Sequence, residues 1–220
     1  MEPTVISKIP ILYQDSDLLA VDKPAGISVH NNEDPQNLLK LLQKQVQAPK
    51  LFPVHRLDKE TSGVQLLALN EAAAKNLASE FEKRAVDKIY AGVLRGELKD
   101  NSGLWNQALT DKAEGRKNPA GASRERISCE THFTVLKANK FFSYCQFKLI
   151  TGRQHQIRKH SALINHALVG DARYGDPRYN KKISDLYKTD RMFLHCHRIQ
   201  ILGQNLESIV PEIFKKLFSI

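Results

Sequence analysis

Residues 53–69 read PVHRLDKETSGVQLLAL. Four charged residues and a histidine crowd into residues 55–60, and Thr61-Ser62-Gly63 leads into an apolar run. Residues 63–69 are almost continuously apolar, which fits a buried strand. The turn before them has two readings on these residues alone. It is a solvated loop, or Asp58, two residues after Arg56, is placed to do chemistry.

Working outward, ILYQ (11–14) and LLAVDK (18–23) read as short strands, interrupted by Pro24 and Gly26. Leu38, Leu39, Leu41, Leu42 and Val46 recur at three- and four-residue spacing, predicting a helix over 36–47. Asn70 is placed to cap a helix running to about residue 86, with Ala73, Leu77 and Phe81 on one stripe. KIYAGVLR (88–95) alternates, so Ile89, Ala91 and Val93 face one way and Tyr90, Gly92 and Leu94 the other. Strands are predicted at 131–136 and 142–150, joined as a hairpin through Ala138-Asn139-Lys140. A helix is predicted over 153–165 and a strand over 192–202. Pro211 is placed to open a C-terminal helix. Strands outnumber helices, so the fold class is α+β with a mixed, largely antiparallel sheet flanked by helices. No repeat, low-complexity segment or long linker interrupts the 220 residues, which predicts one domain over 1–220 with 1–10 as an N-terminal tail.

Hydrophobic residues make up 41% of the chain and charged residues 26%, as in an ordinary globular protein. No apolar run approaches the ~20 residues of a membrane-spanning helix, so no membrane partner is expected. The opening MEPTVISKIPILYQ lacks the pattern of a secretory signal. Cys129, Cys145 and Cys196 have no CxxC spacing and read as reduced, buried thiols of a cytoplasmic protein. The net charge of +9 points to a polyanionic partner, and the charge clusters. Residues 112–126 carry Lys112, Arg116, Lys117, Arg124 and Arg126 against two acids; residues 173–191 carry six basic residues against three acids. Both segments contain glycine, proline and asparagine, so both read as loops able to reach phosphates.

The chain has no GxGxxG, no GxxxxGK[ST] and no GxSxG. His195 and His197 flank Cys196 and share a strand face, but their spacing matches no zinc pattern, and no metal is expected. A second segment stands out: TGRQHQIRKHSALINHALVGDARYG, residues 151–175. Arg153, Arg158 and Lys159 lie near His155 and His160 in the first turns of the predicted helix. Positive charge there opposes the helix dipole, which suggests an outside phosphate or carboxylate.

HRLDKETSG closely resembles the HRLDxxTSG signature of the RluA-type pseudouridine synthases. ILYQDSDLLAVDKPAGISVH resembles the family's opening strands and its KP-x-G loop, and DKIYAGVLRG its tyrosine-bearing strand. TGRQHQIRKH, VGDARYG and MFLHCHRI resemble its closing motifs. The matches run in family order from about Ile11 to Ile201.

The resemblance implies the pseudouridine synthase fold with a catalytic cleft. It also implies isomerisation of uridine in a ribosomal or transfer RNA stem-loop, with no metal and no organic cofactor. It makes Asp58 the essential carboxylate, acting as a nucleophile or as a base, with Arg158 as its counter-ion. A guanidinium suits that role because it orients a carboxylate bidentately. Tyr90 corresponds to the tyrosine that stacks on the target base. Arg56 matches the arginine beside the flipped nucleotide, and Leu194 an apolar wall of the base pocket. Arg153 and His155, from the closing motif, join the RNA-contacting set. The first family-like strand begins near Ile11, which leaves no room for an S4-type RNA-binding domain, so recognition is expected from this domain and its loops, in a monomer. The competing classes are a non-catalytic RNA-binding protein that keeps the fold and a metal-dependent hydrolase built on the histidines.

Overall fold

The computed structural model describes residues 8–30, 36–121 and 125–218. The first seven residues of the predicted tail and Arg124 of the first basic cluster lie outside them. Ile9 is buried, and the Gln45 side-chain amide holds its backbone in both directions, at 2.8 and 2.7 Å.

The chain divides into two compact units. The first comprises Met1–Val86 and Arg198–Ser208. In it β1 (Ile11–Gln14) pairs antiparallel with β2 (Leu18–Lys23), and β2 with β4 (Ser62–Ala68). The short β3 (Phe52–Pro53) also pairs with β4. Every residue of β4 is buried, which is why its sequence runs apolar without alternation. Helix α1 (Leu38–Val46) begins where Asn37 accepts a hydrogen bond from the Lys40 amide, and it buries Leu38 and Leu42 against Leu19, Val21, Ile27 and Leu67. Helix α2 (Glu71–Glu82) starts on the predicted cap, with the Asn70 side chain accepting from the Ala73 amide at 2.8 Å. It ends four residues earlier than the sequence suggests, and Arg84 turns the chain with φ +59°.

The second unit comprises Asp87–His197 and Ile209–Ile220. Its strands β5 (Asp87–Arg95), β6 (Ser102–Trp105), β7 (Thr131–Asn139) and β8 (Phe142–Leu149) lie in the order β5-β8-β7-β6, with antiparallel pairings. The predicted hairpin is present, but β7 continues to Asn139, so the turn is Lys140-Phe141. Helices α3 (Gln156–Leu163), α4 (Pro177–Tyr187) and the short α5 (Ile213–Lys216) complete the unit. Val93, Phe142, Val169, Ile183, Phe193 and Phe214 form its core. Strand β9 (Leu194–Ile201) carries the chain from the second unit back into the first, where β10 (Gln204–Glu207) pairs with its end. The observed class is α+β, and no helix among the described residues is long and apolar enough to cross a membrane.

One reading is corrected. Residues 177–187, inside the second basic cluster, form helix α4 and not a loop. Asp176 caps it, accepting from the Arg178 and Tyr179 amides at 2.8 and 3.1 Å, and Pro177 occupies the first turn, where it lacks only a donor that would be unused. Ile183 is buried, and Tyr179 and Tyr187 pack beside it on the same core. The basic residues between them occupy the solvated face.

Candidate active site

The first unit presents the turn that carries Asp58. Gln65, fully buried in β4, holds that turn by its side chain. Its Oε1 accepts from the Leu57 amide at 3.0 Å, and its Nε2 donates to the carbonyls of His55 at 2.8 Å and Leu66 at 2.9 Å. The Leu66 amide donates to His55 Nε2 at 2.9 Å, so that nitrogen carries no proton and the ring is neutral. The ring stacks on Phe81 with centroids 5.1 Å apart. His55 is therefore a brace of the turn. Past Asp58, the Thr61 amide returns to the Asp58 carbonyl at 3.1 Å. The buried Lys23 ammonium donates to the carbonyls of Pro24 and Ile27, both at 2.9 Å, and of Lys59 at 3.3 Å. The Gly26 amide also reaches the Lys59 carbonyl, at 2.8 Å. The KP-x-G loop is thus tied to the residue next to Asp58. Backbone fixed on both sides leaves Asp58, half-buried, with little freedom beyond its own rotamers, while Arg56 is exposed.

The second unit presents helix α3, whose residues 156–161 are all buried although Ile157 alone among them is apolar. Burying five polar side chains within six residues is costly unless each finds a partner. Gln156 accepts from the Thr151 hydroxyl and the Arg153 amide and donates to Thr131 Oγ1 at 2.8 Å. The Thr131 hydroxyl in turn donates a hydrogen bond to His160 Nδ1 at 3.0 Å, and His160 Nε2 donates to the Gln107 carbonyl at 3.0 Å. That assigns a neutral His160 with the proton on Nε2. Burial pushes its pKa below 6.5; the Gln107 carbonyl pulls it back up, and the neighbouring Lys159 lowers it further. Lys159 Nζ donates to the Thr110 carbonyl at 2.6 Å.

Arg158 is clasped by Asp171, with Nε at 2.8 Å from one carboxylate oxygen and Nη2 at 3.0 Å from the other. Both are buried, at 2% and 0% exposure. Asp171 also accepts from the Arg173 and Tyr174 amides at 2.9 and 3.1 Å. Asn180 on α4 secures the same turn, accepting from the Gly170 amide and donating to the Asp171 carbonyl. The Arg158 guanidinium lies 5.4 Å from the centre of the Tyr174 ring, and the Tyr174 hydroxyl hydrogen-bonds His155 Nδ1 at 3.0 Å. His155 enters the helix with φ +57°. The outside anion suggested by the charge of this segment is therefore supplied in part from within, by Asp171.

The predicted site residues sort as follows. Arg158 and His155 share one cradle with Tyr174. Arg153 lies apart from it, one-third exposed, with a guanidinium nitrogen 4.0 Å from Asp111. Tyr90 is 8% exposed on β5, close enough to the Cys196 thiol to offset part of the rise that burial gives its pKa. Leu194, at the start of β9, is buried. Asp58 and Arg56 belong to the first unit. Sequence reasoning gave no role to Asp171, Tyr174, Asn180 or Gln65. Gln65 leaves a trace in the sequence, as a lone amide inside the run GVQLLAL.

Comparison with known proteins places these motifs. The family model described as RNA pseudouridylate synthase matches residues 17–163. The chain belongs to this family. It is 32% identical over 212 residues to the tRNA pseudouridine synthase C of Pectobacterium carotovorum subsp. carotovorum, covering 88% of this chain and 55% of that protein. It is 29% identical over 202 residues to the tRNA pseudouridine synthase C of Haemophilus ducreyi, covering 86% and 83%. The chain thus spans little more than half the length of the Pectobacterium relative. Among solved structures it is similar to human RNA Pseudouridylate Synthase Domain Containing 1, with a TM-score of 0.77, 27% identity, and coverage of 96% of this chain and 86% of that one.

Proposed function

We propose that this protein isomerises uridine to pseudouridine in RNA, with Asp58 as the catalytic carboxylate. The observation that carries the reading is the braced turn of a family member. Gln65, His55 and Lys23 hold the backbone on both sides of Asp58. Such preorganisation is what a group that must meet a substrate atom requires. In the reaction the N1–C1′ bond breaks, the base turns, and a C5–C1′ bond forms. The C5 proton leaves to solvent and N1 gains one, so atoms and charge balance without a cofactor. Asp58 attacks the nucleotide or removes a ribose proton. The family resemblance gives Arg158, held by Asp171, the part of the positive charge in the chemistry, Tyr90 the stacking on the base and Leu194 a wall of the base pocket. The base and C1′ are out of reach inside a stem, so the nucleotide is flipped, with Arg56 beside the gap and Arg153 and His155 on the RNA.

Transfer RNA is the preferred substrate class, because relatives of similar sequence along most of this chain are named for it. A cytoplasmic monomer is the matching setting, and the three buried free thiols fit it. The test is tritium release from transfer RNA transcribed with uridine labelled at C5. Asp58→Asn is expected to lower release at least ~10²-fold, the lower end for a catalytic acid or base, with RNA affinity largely kept. Equal release by variant and wild type would remove Asp58 from the chemistry.

A further inference from the structure

The second unit contains a cavity of about 210 Å³ lined by Arg95, Arg116, Asn165, Tyr174, Asp176 and Tyr179 among others. We propose that it binds one backbone phosphate of the RNA, a subsite that rests on the RNA reading above.

Arg95 ends β5, and its backbone is pinned by the Ala167 carbonyl at 3.0 Å and by His166 Nδ1 at 2.9 Å. Its guanidinium lies over the Tyr179 ring, 4.5 Å from the centroid. Stacking uses the face of a guanidinium and leaves its N–H edge for an in-plane acceptor such as a phosphate oxygen. Arg95 has no ion pair among the described residues. The Tyr179 hydroxyl is buried and has no hydrogen-bond partner among them either. A buried hydroxyl without a partner is costly, and a bound oxyanion would supply one. Arg116, on the basic loop, also lines the cavity and is half-exposed.

Asp176 is the opposing charge. It caps α4 through one oxygen, and its other oxygen is 3.8 Å from Arg116. Two arginines against one carboxylate leave the cavity one positive charge, enough for a phosphodiester. Exposed Lys112 and Lys117 on the loop and Arg178, Lys181 and Lys182 on α4 extend the positive surface, as suits a polyanion better than a lone ion. Tyr174 lines the cavity and also carries His155 and Arg158, so the subsite shares a wall with the arginine cradle.

The experiment measures affinity for an in vitro transcribed transfer RNA pool across a salt series. Arg116→Gln and Arg95→Gln are each expected to weaken binding several-fold and to reduce the salt slope by about 1. The double variant should lose little more slope than either single one, because both arginines hold the same phosphate. Lys75→Gln, on the exposed face of α2, is the control. Tyr179→Phe separates ligand from scaffold: it removes a hydroxyl that bonds nothing among the described residues, so stability should hold or rise while RNA affinity falls. Slopes and affinities equal to the control in all these variants overturn the subsite. If the wild type releases no tritium, the RNA reading fails separately, and inorganic phosphate decides the cavity. A shift of the Arg95 side-chain NMR signal on adding phosphate supports an anion site, and no shift overturns it.

Discussion

Replacing Asp171 by asparagine should be among the most damaging conservative changes in the second unit. The side chain keeps its size and an acceptor for the Tyr174 amide, but it loses the charge that faces Arg158 across contacts of 2.8 and 3.0 Å. Arg158 is 2% exposed, so water replaces the carboxylate poorly. Two unit charges about 4 Å apart attract by about 4 kcal/mol at an effective dielectric constant near 20. Removing one partner of a buried pair typically costs about 3–5 kcal/mol. At ~2–4 °C per kcal/mol for a chain of this size, Asp171→Asn should lower the melting temperature by roughly 6–20 °C. The assay is thermal and urea unfolding of the two single variants Asp171→Leu and Arg158→Met, their double variant, and Asp171→Asn. The double variant should lose clearly less than the sum of the singles, since it removes both charges together. A melting temperature for Asp171→Asn within about 1 °C of wild type, or additive losses in the cycle, would refute the argument that Asp171 neutralises Arg158.

Three other outcomes are expected. His160 is held neutral by burial, with a folded pKa below its ordinary 6.5. The unfolded chain therefore binds the extra proton first, and stability is complete above about pH 6.5 and falls as pH drops toward the folded pKa; urea midpoints at pH 7 and pH 5 should show the loss, and His160→Gln should flatten it. Gln65→Leu strands the Leu57 amide and the His55 carbonyl, at about 1–3 kcal/mol for each buried group left unpaired, and should cut turnover through the displaced Asp58 turn; tritium release unchanged from wild type would show that the brace is dispensable. Burial pushes the Cys145 and Cys196 thiols up to about 12 and raises Cys129, so none of the three should react with a thiol reagent until the protein is unfolded.

Much of the local structure was legible. Asn70 announces α2 because a short polar side chain at that position satisfies an amide that the helix leaves open. The strands β2, β4 and β5 read directly because their apolar runs are bounded by Pro24, Gly63 and Gly96. Helix α4 was missed because its core-facing Tyr179, Ile183 and Tyr187 are spaced by lysines and an asparagine that resemble a loop. Asp176-Pro177 was the usable signal, a cap followed by a residue suited to the first turn. Strand β10 was missed because Leu202-Gly203 turns with positive φ at both residues, and a leucine there does not advertise a turn.

The sequence by itself determined the family motifs, the identity of Asp58 as the candidate catalytic group, and the basic character that points to RNA. These depend on residue type and order, which a chain displays without folding. Tertiary structure alone decided what holds those groups. Asp171 meets Arg158 because the Gly170–Asp171 turn is hung between Val93–Val169 backbone pairing and the Asn180 side chain of a helix that the sequence did not reveal. Gln65 braces HRLD because antiparallel pairing turns a buried amide toward unpaired backbone eight residues away. Partnerships of this kind are set by where burial leaves polar groups in need of one another, and burial belongs to the fold.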